Sequence, residues 1–149
     1  FTSNEEIIIA LLDYLAQSMD ERYTNAILSE QTPEEKFTTL FQNQFSFFKK
    51  HPHFVVAVFS DGLMEESQRI NETILKIMAV KMKHLMPIIL KGQQKKIFTN
   101  TITSDELMHI VMGTFRLQMF KWRVTNFQFD ISIEGDNMIQ SVLMLIRTT

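Results

Sequence analysis

The chain contains no cysteine, which removes disulfide bridging and thiol catalysis. Only 4 glycines and 3 prolines punctuate its 149 residues, too few for the many tight corners of an all-β sandwich. Its longest apolar runs, residues 7–12 and 54–59, fall far short of the roughly 18 residues of a membrane span. No basic-then-apolar leader opens the chain. Neither sign of charge prevails: 15 basic residues face 17 acidic ones, for a net charge of -2. Such a balance gives no general attraction for nucleic acid. A Gly-x-Ser-x-Gly elbow, a phosphate loop and a dinucleotide fingerprint are all missing. The lack of thiols suits a reducing compartment, and the expectation is cytoplasmic.

A hydrophobic fraction of 45% and a charged fraction of 21% are globular values. Length predicts one domain, residues 1–149, able to bury roughly 68–70% of its unfolded surface without metal or crosslink. The 13 phenylalanines and 10 methionines stand against one tryptophan and two tyrosines. That makes a soft, deformable interior, compatible with a plain packed core or with one that encloses a ligand. Because the chain opens at Phe1, a segment upstream is expected. Asn71-Glu72-Thr73 is a glycosylation sequon, read as coincidental without a secretion signal.

Helix signals run from end to end. Ser3 and Glu6 make a capping box, after which Ile8, Leu12, Leu15, Met19, Tyr23 and Ala26 recur on one face. Thr32-Pro33-Glu34-Glu35 starts a second helix, whose stripe is Phe37, Leu40, Phe41, Phe45 and Phe48. A short helix follows from Pro52 to Ser60, closed by Asp61-Gly62. A long one spans about residues 64–96 with Ile70, Ile74, Ile77, Met78, Leu85 and Ile89 buried and a kink expected at Pro87. Thr103 and Glu106 cap a helix to about Val124, and the last helix runs from near Asp130 to Arg147. The fold class is all-α, a helical bundle.

The penultimate helix has two apolar faces. At about 100° per residue, Met108, Val111, Met112, Phe115, Met119 and Trp122 fall on one side. Ile110, Gly113, Leu117, Phe120 and Val124 fall nearly opposite. A surface helix needs one such face, so this one serves two partners. The final helix adds a wide arc that includes Ile139, Val142, Leu143 and Ile146. Left wet, these faces would be costly. A homodimer with a four-helix interface, two helices from each subunit, covers them, with Gly113 permitting close approach.

Phe1-Thr2-Ser3-Asn4-Glu5-Glu6-Ile7 resembles the segment that closes the DNA-binding domain in TetR-family transcriptional regulators, with Asn4 where a lysine is usual. Ile89-Leu90-Lys91-Gly92-Gln93 with Ile97-Phe98 is similar to the end of that family's long seventh helix. Thr103-Ser104-Asp105-Glu106-Leu107, Gly113 and Trp122 resemble its eighth helix, and Phe129-Asp130-Ile131 with Gly135 the start of its ninth. The resemblance implies a C-terminal effector-binding and dimerisation domain, with residues 1–30 as the connector from a helix-turn-helix head upstream of Phe1. It implies a repressor that meets operator DNA only through that head and is released by a small apolar or amphipathic effector. His51-Pro52-His53-Phe54 is similar to the branch that senses fatty-acyl compounds.

The pocket is expected to draw on Phe45, Phe48, Phe59, Met78, Met82, Phe115, Met119 and Trp122, with Gln44 and Gln118 as polar contacts. Each of these side chains also suits plain core packing. Glu106 and His109 form a Glu-x-x-His pair, but four-helix iron sites need two such pairs and further carboxylates. His51 and His53 have no third ligand at metal spacing. No cofactor, metal or enzymatic chemistry is therefore expected. A second reading is a freestanding helical carrier or adaptor for an apolar ligand or a partner helix.

Overall fold

The computed structural model describes residues 3–59 and 68–148. Among the described residues the helices are α1 (Ser3–Ala26), α2 (Pro33–Lys50), α3 (His53–Val58), α4 (Gln68–Gln94), α5 (Ser104–Val124) and α6 (Ile131–Ile146). Among the described residues there is no strand, only an isolated bridge between Phe98 and Arg147. The all-α expectation is met. Phe1, Thr2, the Ser60 to Gly62 closure, the Met64 start and the Ser3 side chain lie outside the described residues.

Local signals explain the helix starts. Thr32 Oγ1 accepts from the Glu35 N–H at 3.1 Å while the Glu35 carboxylate accepts from the Thr32 N–H at 2.8 Å, with Pro33 in the first turn. At α5, Thr103 accepts from the Glu106 N–H at 3.2 Å, but its hydroxyl then donates to the Glu106 carboxylate at 2.9 Å. Asp130 caps α6 by accepting from the Ser132 and Ile133 N–H groups. Its carboxyl is held below the usual carboxylate range, first by the ion pair with Lys49 at 2.8 Å. α4 continues through Pro87 to Gln94.

α1 and α4 make the most extensive helix pair, α2 lies against α6 and α4, and α5 sits between α4 and α6. Leu12, Leu15, Met19 and Tyr23, at spacings of three and four, are the buried seam of α1. On the rim of that seam run three ion pairs, Glu6–Arg69 at 3.1 Å, Asp13–Lys76 at 3.3 Å and Asp20–Lys83 at 3.0 Å. Both partners advance by seven residues at each step, so α1 and α4 run parallel with matched turns.

The interior is aromatic. Phe37 and Phe41 have ring centroids 5.0 Å apart, Phe41 and Phe115 5.5 Å, and Phe45 and Phe115 5.4 Å. Two glycines make room for rings of this cluster and its surroundings. A Cβ on Gly92 would stand 2.1 Å from the Phe98 ring, and one on Gly135 would stand 2.6 Å from Phe45. Neither ring can step aside, since both are fully buried. Gly92→Ala should therefore lower unfolding free energy by about 1–3 kcal/mol through overpacking. Urea denaturation reads this directly, and an unchanged midpoint would mean that Phe98 relaxes freely.

Candidate functional site

A cavity of about 270 Å³ opens at the end of the bundle away from α6. That volume is close to the lower end for small-molecule pockets. Its walls are Leu15 of α1, Gln44 and Phe48 of α2, Val55 and Val58 of α3 with Phe59 beyond it, Ile74, Ile77, Met78 and Lys81 of α4, and His109, Met112, Gly113, Phe115, Arg116 and Met119 of α5. The lining is mostly apolar and soft, which suits a ligand with an apolar body.

Six of the ten residues expected at a pocket meet there: Gln44, Phe48, Phe59, Met78, Phe115 and Met119. Four lie elsewhere. Phe45 is turned to the α2–α6 contact, where its ring fills the space over Gly135. Met82 is half-buried against the main core, and Gln118 is half-buried one residue before Met119 without reaching the cavity. Trp122 pins the turn between α5 and α6: its Nε1–H donates to the Phe129 carbonyl at 2.9 Å and its ring meets Phe127 at 4.7 Å.

Lys81 is the wall residue that periodicity overlooked. It stands between Ile77 and Leu85 on the buried stripe of α4, a cation where the pattern asks for a hydrocarbon. Its residue exposure is 5%, and its Nζ lies 3.4 Å from the centroid of the Phe115 ring. Beyond it, Arg22 lies over the Phe47 ring at 3.7 Å and donates to Asn43 Oδ1 at 2.7 Å and Gln44 Oε1 at 3.2 Å. Asp20 bonds His84 Nε2 at 2.7 Å and accepts from Lys83, contacts that hold its carboxyl below the usual range. His109 bonds the Asp105 carbonyl through Nδ1, and Glu106 is engaged with Thr103. Among the described residues no group of three or more His, Asp or Glu side chains could hold a metal.

The second feature is an outer apolar face. Ile110, Leu117, Phe120 and Val124 of α5 are exposed, Leu117 at 67%, and nothing lies within 4 Å of a Cβ placed on Gly113. α6 needs a correction. Ile139, Val142, Leu143 and Ile146, expected at an interface between subunits, are buried within this chain. They form the inner part of α6's wide arc, which packs against α2 and α5. The exposed side of α6 instead carries Met144 and Leu145, the latter 82% exposed, and Ile133 near its start.

Among the described residues, the helical bundle thus combines a ligand-sized cavity with an apolar face left uncovered on two of its helices. The family model for the YsiA-like protein, C-terminal region (TetR_C_4), matches residues 13–146. The chain belongs to this family of TetR-type C-terminal domains, whose role is regulatory and ligand-binding. No curated protein and no solved structure gives a significant match. No helix among the described residues is long and apolar enough to cross a membrane.

Burial, with the nearby Arg22 charge adding to it, holds the Lys81 ammonium well below the ordinary lysine range. Between that lowered value and the unfolded value of about 10.4, the unfolded chain binds the extra proton. Stability therefore rises with pH across this window. Lys81→Met, which removes the charge and keeps the length, should melt higher than the parent at neutral pH. The gap should narrow as pH is raised toward about 10.4, the range in which Lys81 is neutral in the folded chain and still protonated in the unfolded one. Parallel melting curves with a constant gap would show that Lys81 carries no burial penalty.

Proposed function

We propose that this chain is the effector-binding and dimerisation domain of a TetR-type repressor, one unit over residues 1–149 with residues 1–30 as its connector. The observation that carries the reading is the cavity's position. Its α4 wall, Ile74 to Lys81, belongs to the same helix turns that hold α1 through Asp13–Lys76 and Asp20–Lys83. Leu15 of α1 itself reaches the cavity. A ligand that favours one spacing of these walls thereby favours one tilt of α1. Effector binding shifts DNA affinity only by its differential affinity for the two tilts. In a symmetric dimer, such a pivot alters the spacing of two DNA-reading heads, and half-site spacing is geometrically demanding.

The dimer itself is built on the exposed residues of α5, namely Ile110, Gly113, Leu117, Phe120 and Val124, with the outer side of α6. The effector is small and apolar or amphipathic, and a fatty-acyl-like molecule is the leading candidate. The protein works in the cytoplasm and performs no catalysis. The carrier reading shares the cavity but gives no role to the registered α1–α4 ladder.

Two experiments test the proposal. Operator affinity of the full-length protein should fall by at least about tenfold at saturating effector, a coupling of roughly 1.4 kcal/mol. Unchanged affinity would contradict the repressor mechanism. For the dimer, Leu117→Glu combined with Leu145→Glu should convert dimers to monomers in light scattering while helical circular dichroism is preserved. A double variant that stays dimeric would place the interface elsewhere.

A further inference from the structure

Among the described residues, the polar groups on the cavity wall are Lys81, Arg116 and His109, together with the fully buried Gln44, and no aspartate or glutamate lines it. Lys81 has no hydrogen bond and no ion pair among the described residues; its only partner is the Phe115 ring. Gln44 uses its carbonyl oxygen to accept from Arg22, so its Nε2 amide is buried with no acceptor. Arg22 reproduces the pattern one layer out, with Nη2 buried and unpaired. On α1, Asp20 is committed to His84 and Lys83 and Asp13 to Lys76, all on the outer rim.

Buried donors are ordinarily paired, and a buried cation left without an anion is among the costlier arrangements a fold can hold. Here two donors, an ammonium and an amide, belong to side chains of the same wall, and neither meets an acceptor among the described residues, while most of the remaining wall is apolar. We propose that the cavity's ligand ends in a carboxylate that is taken inside the bundle, against Lys81 Nζ and Gln44 Nε2. Its apolar body then lies among Phe48, Met78, Met112 and Met119. The inference rests on the ligand-binding reading above and adds the charge and orientation of the ligand. The charged end goes in, at the α2–α4 side, and does not remain at the mouth. Phe115 holds Lys81 in place until the anion arrives, since its ring face offers the ammonium a weak, replaceable partner.

The test compares octanoate with octanamide, which has the same chain and nearly the same shape but no charge, by titration calorimetry on the intact protein at neutral pH. Octanoate should bind about 10- to 100-fold more tightly, the range expected for a charge-assisted hydrogen bond gained in a dry site. Lys81→Met should abolish that preference, so that the two probes bind it within about threefold of each other. Equal binding of the two probes by the unmodified protein would overturn the carboxylate inference and leave the cavity as a neutral apolar site. Full retention of the preference in Lys81→Met would overturn it as well. Binding of neither probe would overturn the effector-cavity reading itself, and the inference with it. The comparison of probes on the unmodified protein needs no variant, so it decides the matter even if Lys81→Met folds poorly.

Discussion

The structure depends on the parallel pairing of α1 with α4. Leu12, Leu15, Met19 and Tyr23 bury one side of α1, and this seam supplies the attraction. The ion pairs at Glu6–Arg69, Asp13–Lys76 and Asp20–Lys83 are largely exposed, and such pairs contribute only about 0.2–1 kcal/mol each. Their importance is register: a seven-residue step on both helices matches one heptad turn to another and disfavours sliding. α4 therefore has two obligations. One side holds α1, and another forms the wall of the cavity.

The two ends of the bundle are built differently. Toward α6, phenylalanine rings fill the space that Gly92 and Gly135 leave, so that a single methyl group would collide. Packing at that density transmits strain and does not absorb it. Toward α3, the same core gives way to methionines and an open volume of about 270 Å³. Methionine's three rotatable bonds let such a wall adjust to what enters. A rigid end and a compliant end in one small bundle give a ligand something to reshape and something to push against. The buried, unpaired Lys81 sits on the compliant side, where removal of its burial cost depends on what occupies the cavity.

Much of the fold was legible because helix starts are local chemistry. Thr32 with Glu35, Thr103 with Glu106 and Asp130 each announce an N-terminus within four residues, and each cap is present. Stripes were legible for α1 and α2, whose one apolar face has only one place to go. The final helix was harder. When apolar residues span a wide arc, periodicity does not say which edge meets its own chain, and Ile139, Val142, Leu143 and Ile146 proved to be interior. Trp122 looked like a pocket residue, but its indole N–H serves the Phe129 carbonyl across a turn whose path no local pattern reveals. Lys81 left a readable sign, a cation inside the stripe Ile70, Ile74, Ile77, Leu85. A search for hydrocarbons passes over it; a search for interruptions in the stripe finds it.

On this reading α4 carries the state of the cavity to α1. Hydrogen–deuterium exchange of the intact protein with and without octanoate tests it most directly. Exchange should slow along the cavity walls in residues 74–81 and 109–119 and change in residues 11–26 of α1. Protection confined to the walls, with α1 exchanging identically in both states, would mean that α4 does not couple the cavity to α1.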